Sequence, residues 1–294
     1  DMICYGHNPQ GSQRIQCRNC KKVWTPKKYQ KEITHPQAIE TVQLFIPFQG
    51  ASAVQKLYVL VSLDATRGNI LHLSTNYTQH QTGDSLRYSY KGNTEPTMHH
   101  RDIVQKVDMR EAQFLRRSQF DEIQYGSAVL KRNGKGAILR PVITAHGHFR
   151  ILKIRYPDVK THIISHECFL RGAIITAWAD QFRQQQGELW FVEEEISDSN
   201  DDKPRHFKGT TYHGWWQNQW QRWEQGNNCK MVCLLTGASL ERGANVSLAT
   251  SRCFITWLTD QHDFTQSALL SAGRVTQMLT SLALKYNESL TPSC

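Results

Sequence analysis

The chain has 294 residues, a formal net charge of +9, 39% hydrophobic residues, and 8 Trp, 10 Tyr and 11 Phe. That aromatic content excludes a wholly disordered chain. No apolar run approaches the roughly 20 residues that span a bilayer, so a helical membrane protein is excluded too. The basic excess points to a polyanionic partner, of which nucleic acid is the commonest. The 8 cysteines are mostly scattered and no secretory leader is visible, so reduced thiols and a cytoplasmic location are expected. The first residue is Asp1 rather than Met, as a fragment or trimmed chain would have.

Residues 1–35 are basic and irregular and lack the apolar period needed to bury a core, so a metal is expected to hold them. From Ile39 the character changes. Val42, Leu44 and Ile46 alternate as in a strand. The runs Leu57–Leu63 and Ile70–Ser74, joined by turn residues starting at Asp64, predict a hairpin. Asp102–Phe120 has helical spacing. Ala137–Ile143 reads as a strand entering Thr144-Ala-His-Gly-His148, and a short helix is expected from Phe149. Thr161–Ser165 predicts a strand and Phe169–Phe182 an amphipathic helix.

An acidic stretch, 188–202, and a Trp-rich stretch, 214–223, form an insertion at about 185–235. The spacing of Trp215, Trp216, Trp220 and Trp223 fits helix faces packed in a core, with base stacking as the other reading. Lys230–Leu235 predicts a strand, and Asn245–Leu258 and Gln266–Tyr286 predict helices.

Cys17-Arg-Asn-Cys20 is a C-x2-C pair, and two thiolates at that spacing reach one tetrahedral zinc. A closed site needs four ligands. Upstream stand only Cys4, expected to be an ordinary thiol, and His7, so the site is expected to be incomplete within this chain.

The run Gly11, Gln13-Arg14-Ile15, Cys17, Cys20, Lys22, Trp24 resembles the second half of the N-terminal zinc ribbon of insertion-sequence transposases. The hairpin Tyr58–Ser74, the run Val142–Phe149 and the run Tyr156–Ile164 are similar in order to elements of the same family's DDE domain. The resemblance spans roughly residues 6–170. It implies an α/β fold with an RNase H-like mixed sheet flanked by helices over 36–294, after a partial zinc ribbon over 1–35. It also implies DNA as partner, structural Zn2+, and phosphate contacts from Arg14, Arg18, Lys21, Lys22, Lys27 and Lys28.

The departures matter more. The alignment puts the three metal-binding acids on Phe45, His146 and Val246. None of these is a carboxylate, and two-metal phosphoryl transfer needs hard oxygen ligands around two Mg2+ ions about 3.5–4 Å apart. The expectation is a catalytically silent, transposase-derived DNA-binding protein, with homo-oligomerisation compatible. One alternative is an active Mg2+-dependent enzyme using some of Asp64, Asp158, Glu167 and Glu241. Another is a protein-interaction module built on the Trp segment. At Asp64 the turn-forming reading is preferred.

Overall fold

The computed structural model describes residues 2–7, 13–24, 35–50, 54–78, 102–124, 137–196, 203–237 and 240–290. The chain divides into two units, Asp1–His35 and Pro36–Cys294. In the first, β1 (Met2–His7), β2 (Gln13–Cys17) and β3 (Val23–Trp24) form an antiparallel sheet in that order. Neither of the two apolar clusters of the structure includes a described residue of this unit.

The second unit is built on one eight-stranded mixed sheet. It opens with an antiparallel meander of β4 (Ala38–Gln49), β5 (Val54–Asp64) and β6 (Ile70–Thr75). A short ladder joins β7 (Tyr77–Thr78) to β8 (Ala137–Ile138), and α1 (Ile103–Gln124) lies between them in sequence. Helix α2 (Pro141–Arg155) leads to β9 (Thr161–Ser165), which pairs parallel with β4 on the side away from β5. Helices α3 (Cys168–Ala177) and α4 (Ala179–Arg183) lead to β10 (Glu188–Glu195), parallel to β9. An antiparallel extension follows: β11 (His206–His213), β12 (Asn218–Gln225) and β13 (Asn228–Thr236). Strand β13 pairs with β10, and β11 is left at the outer edge. A 3₁₀ turn at Leu240–Asn245 precedes α5 (Ala249–Thr259), α6 (His262–Thr265) and α7 (Ala272–Leu290).

Strand β5 is buried continuously from Leu57 to Asp64 because helices cover both sides of the sheet. Its side chains alternate between two clusters. Tyr58 and Leu60 join residues of α1, α2 and α3, whereas Leu57, Val59, Val61 and Leu63 join residues of α5 and α7. Each such buried side chain contributes about 1.5–3 kcal/mol. Among the described residues no helix is long and apolar enough to cross a membrane.

The helix expected over Phe169–Phe182 is two helices broken at Trp178, the one expected from Gln266 begins at Ala272, and two further sequence readings need larger correction. Only Ala137 and Ile138 are in strand; from Pro141 the chain is helical, so His146 lies exposed in mid-helix rather than at a strand end. Proline suits the first helical position because its fixed φ is helical and its missing N–H would have no partner there. The Trp-rich stretch is a β-hairpin and not helical. Trp220 and Trp223, three apart, look helical in spacing but fall on opposite sheet faces: Trp220 joins one cluster and Trp223 packs on the other.

Candidate functional site

In the first unit, the loop between β2 and β3 folds Cys17-Arg-Asn-Cys20 into a tight knuckle. The Lys21 amide donates to the Cys17 carbonyl (2.9 Å), and the Cys17 amide donates to the Lys22 carbonyl (3.0 Å). Lys21 takes a left-handed φ of 59°, which reverses the chain just after Cys20. The Cys17 thiol is held below its ordinary pKa by hydrogen bonds from the backbone amides of Cys20 and Asn19. Amides aimed at sulfur favour the thiolate, the form that binds metal. Cys17 is half-buried and Cys20 exposed. Cys4 pairs in register with Ile15, two residues from Cys17, but its side chain and that of His7 lie outside the described residues. Among the described residues no group of three potential ligands is present. Two thiolates therefore suit zinc in donor chemistry, and the described residues supply half of a closed set. Arg18, Lys21 and Lys22 are exposed and Arg14 is half-buried; Lys27 and Lys28 lie outside the described residues.

In the second unit, the place to look for chemistry is the carboxyl end of the parallel strands, where side chains from neighbouring strands and the following loops converge. Strand β4 runs beside β9 from Ala38 opposite Thr161 to Thr41 opposite Ile164. At the β9 end the Ser165 hydroxyl donates to the Gln43 amide oxygen. Phe45 packs its ring against Tyr58 with centroids 5.7 Å apart.

Among the sequence candidates whose side chains are described, Glu167 is the one carboxylate at this end. Its Oε2 caps α3, accepting from the amides of Phe169 (2.9 Å) and Leu170 (3.2 Å), and the Tyr58 hydroxyl donates to it at 3.5 Å. The other candidates lie elsewhere. Asp64 pairs in register with Ile39, and Ile39 with His162, five residues before Glu167. At the strand rise that is about 16 Å along the sheet. Asp64 accepts from the amides of Thr66 (2.8 Å) and Arg67 (3.2 Å), the bonding of a turn-forming aspartate. Asp158 is exposed in the loop that enters β9, at its amino end. Val246 is buried in the cluster under α5. Glu241 belongs to the 3₁₀ turn, and its side chain lies outside the described residues.

Buried polar groups, several of them (Glu111, Thr41, Ser62 and Glu40) unforeseen from the sequence, join in hydrogen-bonded networks. Glu111 on α1 accepts from His166 Nε2 (3.2 Å) and from the Asn218 amide (3.1 and 3.3 Å). Burial alone would raise Glu111; the hydrogen bond and charge of His166, and then the Asn218 amide, outweigh it and leave it below the ordinary carboxylate range. Burial lowers His166. The signal was there: Ile103, Val107, Glu111 and Phe114 follow helical spacing, and one acid sits inside an otherwise apolar stripe. A second thread runs Thr41 to Ser62 (2.6 Å), Ser62 to His148 Nε2 (2.8 Å), and His148 Nδ1 to Ser74 (2.6 Å). Glu40 accepts from the Ser251 amide and hydroxyl (both 2.9 Å) at the start of α5, and burial raises its pKa.

No known protein family, curated protein or solved structure matches the chain. Its buried acids serve as helix caps and network partners, and its basic residues are displayed beside the cysteine knuckle.

Proposed function

We propose that the chain is a transposase-derived DNA-binding protein whose large domain has an RNase H-like fold and no metal-dependent nuclease chemistry. The strand order supports the fold: a three-strand meander, then two parallel strands added by helical crossovers on the side of its first strand. The observation that carries the silent reading is the separation of Glu167 from Asp64 and Asp158, which lie at opposite ends of β9. Two ions about 4 Å apart need their carboxylates together.

The DNA reading rests on the first unit. Zinc held by Cys17 and Cys20, with further ligands, would lock the knuckle, and Arg14, Arg18, Lys21 and Lys22 would meet phosphates. Such contacts give affinity and salt dependence but little sequence choice. The test is duplex affinity measured against salt in the absence of divalent ions. Four phosphate contacts give a slope of log K on log [salt] of about −3.6. Arg18→Ala with Lys21→Ala lowers that slope by about two. A slope near zero, or one that those substitutions leave unchanged, overturns the reading.

A further inference from the structure

The hairpin of β11 and β12 displays aromatic rings on its outside. Trp215 is 75% exposed, Tyr212 59%, Phe207 51% and Trp216 47%. Four exposed rings on one hairpin exceed the single scattered apolar residues of an ordinary surface, and such groupings mark interaction sites. The rest of the hairpin is firmly held. His213 bonds Asp108 of α1 (2.6 Å) and Thr211 (2.7 Å), and Asn218 bonds Glu111. At the tip, Gly214 has a φ of 75°, and a Cβ there would overlap the Glu111 carboxylate. The tip is therefore docked on α1, with Trp215 and Trp216 exposed in the turn and Tyr212 exposed on the strand face opposite His213, so binding would cost little ordering.

Composition says what would cover them. From Lys203 to Gln225 there is no Leu, Ile, Val, Met or Ala; every large apolar side chain is an aromatic ring. Between the rings lie Thr, Gln, Asn, Gly and His. The same stretch carries Lys203, Arg205, Lys208 and Arg222 against a single acid, Glu224, a balance of +3. Arg171 of α3 adds a guanidinium over the Trp216 ring, 5.2 Å from its centroid. Rings set among cations and amides make a stacking platform for bases on a charged backbone. Paired bases present only their edges to a protein, whereas unpaired bases can lie on rings.

We infer that this hairpin binds single-stranded DNA by stacking bases on Tyr212, Trp215 and Trp216, with Lys203, Arg205 and Lys208 holding the backbone. The inference rests on the DNA-binding reading above and adds a second, strand-state-specific surface to it.

The test uses the full chain and fluorescence anisotropy with an oligo-dT of about 15 nucleotides and a duplex of equal length. Tyr212→Ala combined with Trp215→Ala is expected to weaken oligo-dT binding by about thirty-fold or more, the loss that follows from about 1–3 kcal/mol for each of two stacked bases. Duplex affinity changes less than two-fold. Tyr212→Phe keeps a ring and retains oligo-dT binding, which separates stacking from loss of fold. Oligo-dT is also expected to quench tryptophan fluorescence in the parent chain. The inference is overturned if oligo-dT affinity is unchanged, if both DNA forms weaken equally, or if oligo-rU binds more tightly than oligo-dT. It is overturned as well if the double variant leaves DNA binding intact and abolishes self-association, which would make the face a protein interface. Aromatic-dependent oligo-dT binding without duplex binding would keep this inference and sink the role given to the cysteine knuckle.

Discussion

Lowering the pH from about 7.5 to about 5 should destabilise the large domain, with about 4 kcal/mol coming from two buried neutral histidines. His162 is fully buried against Trp178, with ring centroids 4.3 Å apart, and its Nε2 has no hydrogen-bond partner among the described residues. Burial, with the Lys153 charge, lowers its pKa from 6.5 to about 3. His72, stacked on His148 at 4.7 Å, is lowered to about 4 by burial and by Arg155. Both folded values lie below the unfolded value, so between them the unfolded chain binds more protons. Stability is complete above about pH 6.5 and falls as the pH drops through that window. At pH 5 each site lies about 1.5 units below the unfolded pKa, which at 1.36 kcal/mol per unit is about 2 kcal/mol per histidine. His148 and His166, also lowered by burial, act in the same direction.

Against a total stability of about 5–15 kcal/mol this is a large share. The assay is urea unfolding followed by tryptophan fluorescence. The midpoint should fall by about 1 M or more between the two pH values. His162→Gln should remove about 2 kcal/mol of that pH dependence whatever it does to stability at neutral pH. A midpoint unchanged down to pH 5, or a fall beginning only where carboxylates titrate, refutes the reasoning.

Other outcomes follow from the same geometry. Glu167→Ala should cost about 1–2 kcal/mol in thermal unfolding through loss of the α3 cap, by the same amount with and without Mg2+; a magnesium-dependent loss would instead mark Glu167 as a ligand. Gly214→Ala combines a left-handed φ with overlap on Glu111 and should cost about 1–3 kcal/mol, while Gly172→Ala, with open space at its Cβ, should be neutral or stabilising. Cys17→Ser or Cys20→Ser should abolish zinc retention measured by metal analysis and leave unfolding of the large domain unchanged; zinc retained in the double variant would remove the knuckle from the account.

The sequence was most readable where periodicity was simple. The β5–β6 hairpin was legible because Leu57–Leu63 and Ile70–Ser74 are apolar runs around a turn that starts with Asp64. Helix α1 was legible from its apolar stripe. The run from Ala137 to Ile143 misled because β-branched residues flank Pro141; the proline, a good first helical residue, was the better guide. The Trp hairpin misled because a three-residue spacing of rings imitates a helix while the strands send them to opposite faces. The site was harder still. Whether Glu167 faces an open pocket or caps a helix depends on where β9 ends, and its distance from Asp64 is set by the register of three strands, which no local pattern encodes.

The most direct test incubates the full chain, loaded with zinc, with supercoiled and linear DNA in Mg2+ and then Mn2+, and follows binding and strand scission in the same samples. Shifted but uncut DNA under both ions is the predicted outcome. Metal-dependent nicking that vanishes in Asp64→Ala or Glu167→Ala would contradict it, because carboxylates placed at opposite ends of β9 would then be acting as one centre.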